Sequence, residues 1–219
     1  MVTRFASATD FDVNDHPVTT TGGIRFVGGA AADLALNVKV EVEGSIDSNG
    51  VLVAEHVNFH RKANVRIDGS VEAVDNNAGT FQVLGITVKV NANTRYEDKA
   101  VSHDRFITLS KLTVGDPVQV SGIEHAVTAG QVLATRVVRE ADPVTTVELR
   151  GNVASLSQPS FIVLTTTVTT TNTTVFDGIA SAAFFGSVDH PLVKVRGTWD
   201  GATLTAQSVE LEVEEEMHD

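Results

Sequence analysis

One pattern recurs three times along the chain and limits its fold more than any single motif does. Phe11, Val13, Val18 and Phe26 reappear without a gap as Phe81, Val83, Val88 and Tyr96, a constant shift of 70. They return as Phe161, Val163, Val168 and Phe176, a further shift of 80. A second shared element follows in each copy and reads Val-x-Val-x-Gly: Val40 to Gly44, Val118 to Gly122 and Val193 to Gly197. Valines at period two put one face of a strand into a core and leave the intervening residues toward water. A last strand closes each copy, Leu52 to Val57, Val132 to Val137 and Leu204 to Val209, with Ala54, Ala134 or Ala206 at its middle. Asn49-Gly50 and Asp200-Gly201 supply the turn chemistry of a hairpin between these last two strands.

Copies two and three open alike, with Val65-Arg66-Ile67-Asp68-Gly69-Ser70-Val71 matching Val147-Glu148-Leu149-Arg150-Gly151-Asn152-Val153. Copy one opens late. Val2 and Phe5 read as the tail of the same strand, whose glycine would fall just before Met1, so the chain is expected to begin inside its first module. His60 to Ala63 and Ala141 to Val144 are short polar or proline-containing joints. The expected organisation is module 1 at 1–60, module 2 at 64–141, module 3 at 145–213 and an acidic tail at 214–219, with the modules in a semi-rigid row. The fold class is all-β, each module having five strands in the order of a small OB-like barrel, the first lacking part of its opening strand. An open sheet or sandwich uses the same pieces, and periodicity does not separate the two; barrel closure has the advantage of removing exposed edges. The best helical stretch runs around Asp104 to Leu112, with a weaker one around Ile179 to Phe185.

The quoted segments carry a resemblance. Gly69-Ser70-Val71, Phe81-Gln82-Val83, Thr94-Arg95-Tyr96, Gly115-Asp116-Pro117-Val118-Gln119-Val120-Ser121-Gly122 and Leu133-Ala134-Thr135-Arg136-Val137 resemble the bacterial DUF5666 domain, which recurs in tandem in exported proteins. The resemblance covers nearly the whole chain. It implies an export route, an OB-like β-fold and no assigned activity. Asn37 and His190 depart from it, standing where copy two has Gly115, and copy three shortens its central connection.

Charge narrows the partners. With 28 acidic against 16 basic residues the formal net charge is −12, which opposes a nucleic-acid backbone. There is no cysteine, which removes disulfides and thiolate chemistry. No stretch reaches the roughly 20 apolar residues of a membrane-spanning helix, and the N-terminus lacks a signal-peptide pattern. The given chain is therefore expected to be soluble and either unprocessed or already trimmed, and the resemblance implies a place in the periplasm or exterior.

No catalytic or metal constellation emerges. The seven histidines occupy unrelated places in the three copies; only His56 and His60 share a strand face, and Glu55 points the other way. Glu41 and Glu43 read as a solvated outer face that discourages sheet association. Gly22-Gly23 and Gly28-Gly29 have no following Lys-Ser/Thr and are not a phosphate cradle. The threonine run from Thr165 to Thr174 reads as a hairpin whose threonines satisfy one another. Phe11, Phe81 and Phe161 are core positions, while Trp199 stands apart beside a hairpin turn as a barrel-mouth cap or an exposed contact.

The expectation is a structural or interaction protein with no enzyme activity, no catalytic residue and no cofactor or metal. Val2, Phe5 and Trp199 are the candidate interaction residues. Its expected partners are itself or other envelope proteins, through completion of the shortened first module by a strand from a neighbour. The alternative is an OB-like binding module for a small cationic, saccharide or peptide ligand.

Overall fold

The computed structural model describes residues 1–21, 23–27, 29–36, 38–59, 64–100, 106–125, 128, 130–187 and 191–212. Copy one contains β1 (Val2–Ser7), β2 (Asp10–Val13), β3 (His16–Thr19), β4 (Arg25–Val27), β5 (Val40–Ile46) and β6 (Leu52–Phe59). Copy two contains β7 (Val65–Ser70), β8 (Ala73–Asp75), β9 (Thr80–Val83), β10 (Ile86–Lys89), β11 (Arg95–Asp98), β12 (Pro117–Glu124) and β13 (Val132–Arg139). Copy three contains β14 (Val147–Ser157), β15 (Ser160–Val163), β16 (Thr166–Thr169), β17 (Val175–Asp177), α1 (Ser181–Phe185), β18 (Leu192–Trp199) and β19 (Thr203–Leu211).

Pairing settles the question that periodicity leaves open. In copy three β14 pairs with β15, β15 with β16, β16 runs parallel to β19, β19 pairs with β18, and β18 returns to β14. That ring is a closed five-stranded barrel, with the one parallel contact between third and fifth strands that an OB-type order requires. Copy two has the same order, its opening strand divided into β7 against β12 and β8 against β9. The short strands β4, β11 and β17 each add a parallel pairing to the closing strand of their own copy.

The chain clusters into two compact units, Met1–Lys62 with His125–Ala129, and Ala63–Glu124 with Gly130–Asp219. Within the second unit the two barrels are one hydrogen-bonded sheet of 13 strands, because β7 and β14 pair with each other at Asp68–Glu148, Ile67–Leu149 and Arg66–Arg150. They also share one hydrophobic core, which reaches from Phe81 to Phe161. Small barrels bury little surface alone, so this joint supplies what each lacks.

The repeated residues occupy the expected places. Phe11, Phe81 and Phe161 are fully buried, as are Ala54, Ala134 and Ala206. The glycine of each Val-x-Val-x-Gly lies at a β-bulge, where the register shifts after Glu43, Ser121 and Arg196. A Cβ on Gly44 or Gly197 would stand 2.0 Å from the carbonyl oxygen of Val53 or Thr205, and one on Gly122 2.5 Å from that of Leu133. Only glycine lets the two strands approach there, and the bulge twists the hairpin enough to curl the sheet. The helical expectations are reversed in rank. The described part of the stretch ending at Leu112 is a 3-10 turn at Leu109–Lys111, whereas α1 is a true if short helix, held by packing Phe184 edge-on against Phe161 at 5.0 Å.

The threonine run does two jobs. Ser160 and Thr169 hydroxyls lie 3.0 Å apart across β15 and β16, and Thr171 and Thr173 hydroxyls lie 2.9 Å apart. Thr174 instead donates to the carbonyl of Ala206, as Thr94 does to that of Ala134. Of the expected departures from the repeat, Asn37 and His190 lie outside the described residues.

Two outcomes follow from the hairpins. Gly197→Ala is expected to cost about 1–3 kcal/mol of stability, the cost of forcing an atom into a packed site, read as a lowered urea midpoint. Gly50→Ala, with open space but φ of +80°, is expected to cost only about 1 kcal/mol. The turn aspartates Asp47 and Asp200 accept backbone N–H bonds, from Asn49 and Val51 and from Ala202 and Thr203. These donors hold both carboxyls below the usual carboxylate range. Their contribution is present above the unfolded pKa of about 4 and fades as pH falls through the lowered folded value. The Asp47→Ala, Asp200→Ala double variant is therefore expected to show a shallower acid limb than the parent in denaturation measured from pH 6 downward.

Candidate functional site

The first unit differs from the other barrels at one place. β1 starts at Val2, the counterpart of Val71 and Val153, and its N–H donates to the carbonyl of Val38 at 2.8 Å. The same bond closes the other barrels, from Val71 to Asp116 and from Val153 to Pro191. Beyond it, β7 covers β12 from Pro117 to Gly122, and β14 covers β18 from Leu192 to Gly197. Among the described residues, β5 pairs with β6 alone.

The uncovered strand is also wet. Val120 and Val195 are 0 % exposed, but their counterpart Val42 is only partly buried, and Ile46 at the end of β5 is 74 % exposed. Beside the strand runs an apolar groove of about 350 Å³, bounded by Val42 and Ile46 on one side and by Val13, Pro17, Val18 and Leu52 on the other. The complete barrels explain its shape. A Cβ on Gly69 would stand 2.7 Å from Val83 and 3.2 Å from Leu84, and one on Gly151 3.1 Å from Val163 and 3.4 Å from Leu164. Opening strands therefore pass directly over this pair of residues. In copy one the pair is Val13 and Asn14, both on the groove wall.

Outward from the groove, Glu43 is well exposed and lies 3.9 Å from His56 across the hairpin. Glu41 is likewise on the exposed face. These carboxylates do face outward as the sequence pattern requires. His60, the other histidine of the expected pair, lies outside the described residues. No group of three or more His, Asp and Glu side chains suited to a metal ion occurs among the described residues.

The three candidate interaction residues have different fates. Val2 is fully buried in the core of the first unit with Phe11 and Val18, so its side chain offers no surface; only its backbone belongs to the edge. Phe5 is 37 % exposed on β1. Trp199 is partly buried inside the second unit: its indole N–H donates to Glu72 at 2.6 Å, and its ring lies over Gly85. Glu72 uses its other oxygen to accept the Gly85 N–H at 2.9 Å. Thr166 adds a buried bond to the carbonyl of Leu84 at 2.7 Å. Trp199 thus clasps barrel three to barrel two. The sequence held no signal for this, since Glu72 lies 127 residues away.

A second concavity, about 390 Å³, lies under the joint between these barrels and includes Asp68, Glu140 and Asp142. Burial raises the Asp68 carboxyl, against the pull of Arg66, whose guanidinium approaches it to 3.0 Å. Its polar wall is thus engaged in an internal ion pair.

Bulged hairpins and a parallel strand contact in all three copies, with glycine-marked opening strands in copies two and three, define a protein of tandem small OB-type barrels. The profile of a domain of unknown function, DUF5666, matches residues 1–58, 68–138 and 150–210. The chain belongs to the DUF5666 family and carries three of its domains in tandem. No curated protein and no solved structure matches it. No described helix is long and apolar enough to cross a membrane.

Trp199→Phe keeps the ring and removes the donor to Glu72. It is expected to cost about 1–3 kcal/mol, the price of a part-buried acceptor left without its partner, read as a shift of the urea midpoint. Indole fluorescence of the parent is expected to respond to Glu72→Gln.

Proposed function

We propose that this chain is a non-catalytic structural or interaction protein of the bacterial envelope or exterior, whose first domain accepts a β-strand from a neighbour. The observation that carries the reading is the edge of β5 with the groove of Val42, Ile46, Val13 and Leu52 beside it. Strand edges are templates: they present unpaired backbone donors and acceptors in a row, and natural proteins cover them or use them. In the second and third domains an internal strand lies on the same edge and buries the equivalent valines completely. The resemblance to domains of exported proteins supports the location. Tandem repetition suits a spacer that presents such an edge. For the alternative of a small-ligand module, the concavity around Asp68 offers a carboxylate that is already paired with Arg66.

Strand acceptance has a direct readout. Sedimentation of the 219-residue chain over a wide concentration range, alone and with envelope fractions, is expected to show association through this face. Ile46→Lys, which places a charge at the exposed end of the groove without touching the core, is expected to reduce that association at least severalfold with an unchanged unfolding midpoint. Association that Ile46→Lys leaves intact, or a strict monomer that binds nothing, would remove the basis for the proposal.

A further inference from the structure

We infer that the joint between the second and third barrels is a proton-linked clasp: Asp68 and Glu148, carboxylates set directly across from each other where β7 meets β14, push the strands apart when both are ionised and let the joint tighten when Asp68 takes up a proton. The clasp lies wholly within the second compact unit and is independent of strand acceptance by β5. Three residue pairs join β7 to β14. Ile67 and Leu149 are fully buried core, while Asp68 with Glu148 and Arg66 with Arg150 each oppose like charges. Like charges directly across a strand pair weaken it. The two guanidinia have carboxylates to turn to, since Arg150 lies 3.3 Å from Glu212 and Arg66 reaches both Asp68, at 3.0 Å, and Glu148, at 3.2 Å. The two carboxylates are less well served, because they share Arg66 between them.

The elements packed around Asp68 decide which carboxyl yields. β12 places Gln119 opposite it, which carries no charge. The segment after β13 brings Glu140 and Asp142 into the same concavity, and Glu140 lies 3.1 Å from Lys99. β14 supplies Glu148, whose other edge meets Arg196 of β18 at 2.8 Å. Glu148 therefore sits between two guanidinia and keeps its charge, whereas Asp68 has Arg66 as its one cationic contact among the described residues. Their side chains are only 27 % and 12 % exposed, which limits screening by water and salt. Burial raises the Asp68 carboxyl, and Glu148 and Glu140 add to that rise against the pull of Arg66. Once protonated, Asp68 no longer repels Glu148 and its O–H becomes a hydrogen-bond donor. With the folded value above the unfolded one of about 4, this group adds stability as pH falls through the folded value and withdraws it as pH rises. The direction is opposite to that of Asp47 and Asp200, whose carboxyls are lowered.

The test uses the whole chain, with Trp199, its one tryptophan, as the reporter of urea unfolding because the indole lies in this joint. Midpoints of the parent and of Asp68→Asn, an uncharged side chain of the same shape, are compared at steps from pH 7.5 to pH 4. The difference between the two chains cancels the titrations they share, those of Asp47 and Asp200 included. As pH falls, the folded-to-unfolded ratio of the parent is expected to rise severalfold relative to that of the variant. A difference that stays constant, or a parent that loses ground to the variant in acid, overturns the inference. Amide protection at Ile67 and Leu149, corrected for the intrinsic pH dependence of exchange, is expected to follow the same course; protection unmoved there while the midpoint moves places the effect outside the joint and overturns the clasp. The Asp68 carboxyl carbon, followed by NMR in the parent, gives an answer that needs no variant to fold: a titration midpoint above the ordinary value near 4 supports the inference, and one at or below it overturns it. Glu148→Gln is expected to bring that midpoint down, and a midpoint it leaves unchanged removes the opposed pair as the cause.

Discussion

Backbone pairing along the opening strand of each repeat is the interaction on which the rest of this structure depends. In a barrel of five short strands, that strand alone reaches both the Val-x-Val strand and the first hairpin, so it closes the ring. Its glycine, at Gly69 and Gly151, lets it cross Val83–Leu84 and Val163–Leu164 at contact distance. Once it lies there, the valines of β12 and β18 are out of water. Where no described residue takes its place, beside β5, the same residue types stay partly wet.

The same strand does a second task between barrels. β7 and β14 pair with each other through their remaining edges, which merges two small cores into one and leaves Trp199, Glu72 and Thr166 to fasten the joint. An OB-type strand has two edges along its first half, and a single barrel uses only one of them. Tandem copies can therefore share a sheet at little cost in new surface, and a domain with a bare edge is a natural receptor for a strand. Structure, joint and proposed function are three uses of one geometric fact.

Much of this was legible in the order of residues. Val-x-Val-x-Gly announced a strand with one buried face and a break, Asp200-Gly201 announced a hairpin, and the recurring phenylalanines announced three cores. These signals are local: alternation, turn chemistry and burial depend on neighbours within a few residues. Helix strength was not legible, since α1 depends on packing Phe184 against Phe161 rather than on propensity.

By itself the sequence determined three copies, their strand content, the positions of their hairpins and the acidic outer row of Glu41 and Glu43. Tertiary structure alone decided that the strands of the second and third copies close into barrels, because closure depends on the parallel pairing of the third strand with the fifth, a contact no periodicity encodes. It alone decided that Val2 is core and that Trp199 faces Glu72 across a joint. It alone placed Val13, Pro17, Val42 and Ile46 around one apolar groove. The physical reason is common to all three: a strand's pattern says which side is apolar, whereas its two edges are filled by whatever residues the fold brings alongside.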